Sequence, residues 1–152
     1  MTSRLRPLIT SAFTGRRLQN IKRGLHEMKR RVSGRSHKVV YFYQIDDPYS
    51  HLLVQALARV QSSYDIDLQL RIVPPPADDA APERTALEDY SRRDAAAIAP
   101  FYDLQFDDPG CQPTAENCQL AERALAATGN RVSAAAEIGA ALWAGDSQTL
   151  SK

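Results

Sequence analysis

The chain has two cysteines, one tryptophan and four phenylalanines in 152 residues. Its apolar runs are all far shorter than the ~18–20 residues of a membrane span. Cys111 and Cys118 have six residues between them. That spacing is neither a redox Cys-x-x-Cys pair nor the four-ligand set of a structural zinc site, so both are expected to be free thiols near a helix start. No Gly-rich phosphate loop, G-x-S-x-G elbow or H-E-x-x-H occurs, which removes the usual support for nucleotide hydrolysis, serine-hydrolase and zinc-protease chemistry. No secretory signal is expected, because Leu8-Ile9 is far short of a 7–15-residue apolar core. The acid-poor start, with its Arg and Ser, does resemble an organellar transit peptide.

What is present is unevenly spread. Residues 1–38 hold eleven Lys/Arg against Glu27 alone, a net of +10, and the rest holds 8 basic against 17 acidic, a net of −9. Such asymmetry marks a basic arm on an acidic domain. The expected organisation is an arm over 1–38, a domain over 39–148 and a tail over 149–152. Within the arm, Leu18, Ile21, Leu25, Met28 and Val32 recur at 3-4-3-4 spacing, which predicts a helix over 16–32 with one narrow apolar seam among Arg and Lys. Ser33-Gly34 ends it. The seam suits three surfaces: the acidic domain or a partner protein's helix, an anionic membrane, or nucleic acid. The last is disfavoured, since no aromatics interleave with the charges to stack on bases. The localisation expected is cytoplasmic, with this helix offering a peripheral membrane contact.

Val39 to Ile45 is a continuous apolar and aromatic run, as in a central strand covered on both faces. Asp47 is a good N-cap and Pro48 suits a first helical turn, so a helix is predicted to about Ser63. Its core face is expected to carry Tyr49, Leu53, Leu57 and Val60, helped by Leu52 and Ala56, with His51 exposed. Ile66 to Ile72 alternates apolar and polar, which predicts a second strand with one wet face. Strand, helix and strand in so few residues make a right-handed parallel βαβ unit. Pro74-Pro75-Pro76 stops that strand. Three helical segments follow: Thr85 to Tyr102 with a break at Pro100, one from Thr114 to Gly129-Asn130, and one from Val132 to Trp143.

The turn Asp47-Pro48-Tyr49-Ser50 after Phe42 resembles the strand-turn-helix of the DsbA-like branch of the thioredoxin fold. The nearer likeness is to 2-hydroxychromene-2-carboxylate isomerases and kappa-class glutathione transferases. Asn117-Cys118-Gln119-Leu120-Ala121-Glu122-Arg123-Ala124 is similar to that group's N-S-L-L-A-x-R-A helix. Ala141-Leu142-Trp143-Ala144-Gly145-Asp146 looks like its A-x-W-x-x-G-x-D stretch, and Tyr102 to Phe106 resembles its Y-G-L-x-F loop. The resemblance spans roughly 39–148 and implies an α/β fold: a thioredoxin-like βαβ unit with a helical insertion.

It also implies a site at the first helix terminus, with Asp47 and Ser50 as catalytic candidates and Pro48, Tyr49 and Asn117 as cofactor-binding ones. The implied cofactor is glutathione, acting on a small-molecule thiol or unsaturated substrate, with no metal. Two departures accompany it. Asp47 and Ser50 stand where the redox enzymes carry thiols, which excludes direct disulfide exchange there. An ionised Asp47 accepts hydrogen bonds only and repels a thiolate. The other is that nothing past Gly145 supplies the C-terminal ββα half that the resemblance requires, so the chain is expected to be a fragment or to borrow strands from a partner. The rival function is a non-catalytic binding or scaffold module tethered by its basic arm. Bland roles compete at each residue: Asp47 and Asn117 as caps, Ser50 back-bonding its own helix, Tyr49 and Trp143 as packing anchors.

Overall fold

A computed structural model describes residues 16–150. The readings that fall on residues 1–15, the transit-like start among them, and on 151–152 lie outside the described residues. One unit ends at His37 and a second begins at Lys38.

The first unit is built on α1 (Arg16–Val32), at the predicted bounds. It ends where Gly34 takes φ +61°, a left-handed conformation that glycine adopts without a Cβ penalty. Glu27 accepts from Arg30 at 2.7 Å and Arg31 at 2.9 Å, one turn further along the same face, and these two guanidiniums hold its carboxyl down at about 2. Ile21, Leu25, Met28 and Val32 are all exposed.

From β1 (His37–Tyr43), whose first residue closes the first unit, the second unit runs through α2 (Pro48–Ser63), β2 (Ile66–Ile72), α3 (Arg84–Ile98), a 3-10 turn over Ala99–Tyr102, α4 (Ala115–Ala127), α5 (Val132–Trp143) and a one-turn α6 (Ser147–Leu150). It is mixed α/β with one parallel two-stranded sheet among the described residues. The bond from Val73 N–H to Tyr43 O, 2.9 Å, sets the register. It turns the odd-numbered backbone groups of each strand toward the other, since these groups alternate along a strand. Tyr43, Leu68 and Leu70 then share one face, and all are buried.

That face packs with Val54, Leu125, Ala135 and Leu142 in the larger core cluster. Leu150, placed in a tail by sequence, is 4 % exposed and belongs to the same cluster. A second cluster joins Leu52, Ala95, Ala99, Phe106 and Trp143, with the Phe106 and Trp143 rings edge to face at 5.1 Å, a favoured aromatic geometry. Trp143 is thus the packing anchor that its sequence position suggested.

Three expectations are corrected. β1 is not covered on both faces: Val40 and Phe42, on the side opposite Tyr43, are exposed. It is not central either, because a sheet of two strands has only edges. On α2 the buried residues are Pro48, His51, Leu52 and Val54, while Leu53 and Val60 are exposed. The helix sits between two clusters, so it buries two narrow stripes instead of one broad face.

Candidate functional site

β1 ends at Tyr43, and Ile45, 3 % exposed, anchors the turn that follows. Asp47 N–H donates to Gln44 O at 3.3 Å, which bends the chain so that α2 opens at the carboxyl end of the strand. Pro48 takes the first helical position, where its missing N–H costs nothing. Asp47 is extended, at φ −101° and ψ 120°, and its Oδ2 accepts from Ser50 N–H at 2.8 Å. This is an N-cap, worth about 0.5–2 kcal/mol. The carboxylate therefore fills the spot where converging helix N–H groups would otherwise meet an external anion.

The other turn residues are also engaged. Tyr49 Oη donates to Asp94 Oδ2 on α3 at 2.6 Å. Burial, and then the Asp94 acceptor, push the phenol above its ordinary value, so Tyr49 holds its proton. Ser50 O accepts from Tyr41 Oη at 3.0 Å, stitching β1 to the first turn of α2.

Asp47 and Pro48 border a pocket of about 110 Å³, lined also by Pro76, Arg84 and Ser91. Asn117 lies in the first turn of α4, where its N–H donates to the N-cap Thr114 Oγ1 at 3.2 Å. It lines a separate pocket of about 270 Å³ together with Trp143. Gln112 is the residue common to both walls, and its Oε1 is buried without a hydrogen-bond partner among the described residues. Asp47 and Pro48 are thus brought together, Tyr49 and Ser50 line neither pocket, and Asn117 stands apart.

The pocket beside Asp47 is smaller than the ~300–1,000 Å³ of drug-sized ligand sites, and the helix terminus that borders it already carries the Asp47 cap. Burial and the carboxylates of Asp46 and Glu122 push the Cys118 thiol up to about 11, so near neutral pH it keeps its proton. Among the described residues no cluster of His, Cys, Asp and Glu could hold a metal ion.

Sequence reasoning missed a polar cluster beneath the site. His51, expected to be exposed, is 3 % exposed. The Gln55 amide is oriented by Gln105, accepting from its N–H at 3.0 Å and donating to its carbonyl at 2.8 Å. Its second N–H is left to donate to His51 Nε2 at 3.0 Å, which assigns the ring proton to Nδ1. That atom and Tyr43 Oη are both buried without a hydrogen-bond partner among the described residues, and both face Gly139 of α5. A lone glycine in the alanine-rich stretch from Ala134 to Ala141 was the signal that could have pointed there.

Burial pushes the His51 pKa from the usual 6.5 down to about 4. The unfolded chain therefore takes up this proton first as pH falls. The contribution to stability is complete above the unfolded value and is lost progressively between about 6.5 and about 4. Its size is on the order of 3 kcal/mol. Urea denaturation at pH 7, 5.5 and 4 should show this loss, and His51→Leu should remove most of the slope. An unchanged slope in that variant would assign the acid sensitivity to other groups.

Comparison of the chain with protein-family models, characterised proteins and solved structures gives no match.

Proposed function

We propose that this chain is a non-catalytic binding module, a DsbA-like thioredoxin relative whose strand-to-helix turn has passed from chemistry to capping. One observation carries the reading: the Asp47 carboxylate accepts from Ser50 N–H at 2.8 Å, at the position where a thiol-handling relative would hold sulfur. A thiolate brought there would meet a like charge within a few ångströms, and its own favoured state would be lost. The small pocket beside Asp47 adds to the case, as does the engagement of Tyr49 with Asp94. The order of elements, a parallel βαβ unit followed by a helical block, supports the ancestry. The exposed seam of α1, rimmed by Arg and Lys, suits a docking tether to a partner protein or an anionic membrane surface. No helix among the described residues is long and apolar enough to cross a membrane itself.

Glutathione titration followed by Trp and Tyr fluorescence tests the proposal. Asp47→Ser is the informative variant, because serine caps a helix about as well as aspartate while removing the charge. The natural chain is expected to give no saturable change at millimolar glutathione. Binding confined to Asp47→Ser would show that one charge abolished the cofactor, and absence in both would extend the loss to the pocket. Saturable binding by the natural chain would overturn the proposal and restore a glutathione-dependent isomerase or transferase.

A further inference from the structure

Because β2 pairs with β1 alone among the described residues, one of its edges faces no strand. The register set by Val73 and Tyr43 turns the N–H and C=O groups of Asp67, Gln69 and Arg71 toward β1. Those of Leu68 and Leu70 point outward along the free edge, while their side chains stay buried. A groove of about 530 Å³ follows that edge, with Leu68 to Arg71 as one wall and Gly129 to Ser133, the turn into α5 and its first residues, as the other. Side chains of consecutive strand residues alternate between faces. A cavity touching four in a row therefore lies along the edge and not on either face.

The edge strand is complementary to itself. It reads Ile66-Asp67-Leu68-Gln69-Leu70-Arg71-Ile72, apolar positions mirrored about Gln69 and charges of opposite sign at matching distances from it. Two copies laid antiparallel with Gln69 opposite Gln69 bring Asp67 of each beside Arg71 of the other, twice. In that same register Leu68 faces the second copy's Leu70, so the outward backbone groups of the two edges meet as hydrogen-bonded pairs. Charge and backbone are satisfied together. Asp67 and Arg71 are exposed. Asp67 accepts from its neighbour Gln69 at 3.0 Å, and Arg71 is in no ion pair among the described residues.

We infer that β2 pairs antiparallel with β2 of a second copy, giving a continuous four-stranded sheet in the order β1-β2-β2-β1 about a two-fold axis through Gln69. The contact is isologous, so it closes at the dimer and pairs the β2 edge that would otherwise be open to further strands. A parallel in-register pairing would set Asp67 on Asp67 and Arg71 on Arg71, which the charges oppose. The inference needs only the β1-β2 pairing and the β2 sequence. It stands whether or not the turn at Asp47 ever handled a thiol.

Sedimentation velocity over a concentration series tests it on the full chain. The natural chain should show a monomer–dimer equilibrium. Asp67→Arg or Arg71→Asp alone converts both cross-strand pairs from attraction to repulsion and should weaken association on the order of 10-fold or more. The double variant carrying both changes should recover the dimer. Mixing the two single variants should give a heterodimer that neither forms as a homodimer. Both sites are exposed, and circular dichroism melting checks that each variant still folds. A natural chain that stays monomeric up to about 1 mM, or a dimer indifferent to the single changes, would overturn the inference. So would failure of the double variant to recover.

Discussion

Replacing Gly139 by alanine is expected to destabilise the fold by about 3 kcal/mol, although the same change at an exposed helical site stabilises by about 1 kcal/mol. The sign reverses because of what lies over the glycine. A Cβ at 139 would stand 2.5 Å from His51 Nδ1, 3.1 Å from His51 Cε1 and 3.0 Å from Tyr43 Oη. The imidazole cannot swing clear at low cost, since Gln55 holds its Nε2 at 3.0 Å and the Phe106 ring lies against it at 6.2 Å between centroids. Tyr43 is fully buried on β1, so its ring cannot relieve the contact by swinging into solvent. Shifting α5 outward instead would open its contact with α2, the most extensive helix pair in the domain. Urea denaturation of Gly139→Ala measures the loss. The cause is isolated by repeating the change in a His51→Ala background, where the cost should fall below about 1 kcal/mol. Equal costs in both backgrounds would show that His51 is not the obstacle.

The contrast between Asp47 and His51 shows what the sequence could convey. Local chemistry was readable: Asp47 before Pro48 starts α2, Thr114 caps α4 by accepting from Asn117 N–H, Gly34 and Gly145 end their helices with positive φ, and Pro100 converts the end of α3 into a 3-10 turn. Each depends on residues within one turn of one another. The alternation from Ile66 to Ile72 likewise identified the buried Leu68 and Leu70.

What failed depended on partners distant in the chain. Leu52, Leu53, Val54 and Leu57 offer apolar atoms on more than one side of α2. Only the positions of Trp143 and of the sheet decide that Leu52 and Val54 are buried and Leu53 is not. The run from Val39 to Tyr43 is as apolar as a doubly covered strand, yet apolarity cannot report whether a second layer exists. His51 looked like a surface residue because nothing near it in sequence announces Gly139 or the Gln55–Gln105 amide pair. The site shows the same division: the cap at Asp47 was legible, while the small pocket and the separation of Asn117 from it were not.

Truncating Arg92 is expected to cost about 3 kcal/mol, through loss of a buried ion pair. Arg92 is 5 % exposed on α3. Its Nε donates to Asp108 Oδ1 at 3.1 Å, and its terminal nitrogen donates to Asp89 Oδ1 at 2.5 Å and to Gly110 O at 3.4 Å. The two carboxylates are not equal partners. The Asp89 side chain is 51 % exposed and can be rehydrated, so it contributes little, whereas that of Asp108 is 22 % exposed and would be left largely uncompensated. Asp108 Oδ1 also accepts from Gly110 N–H at 2.9 Å, so the guanidinium holds a whole turn against α3, two residues before the shared pocket wall at Gln112. Arg92→Met keeps most of the volume and isolates the charge. Arg92→Lys should recover less than half of the loss, because a single ammonium cannot reach Asp89, Asp108 and the Gly110 carbonyl as a planar fork does. Added salt should change the cost little, as expected for a pair shielded from screening ions. Urea denaturation of the two variants at low and high ionic strength measures all three expectations. Full recovery by lysine would mean that net charge alone, without the fork's geometry, anchors the turn.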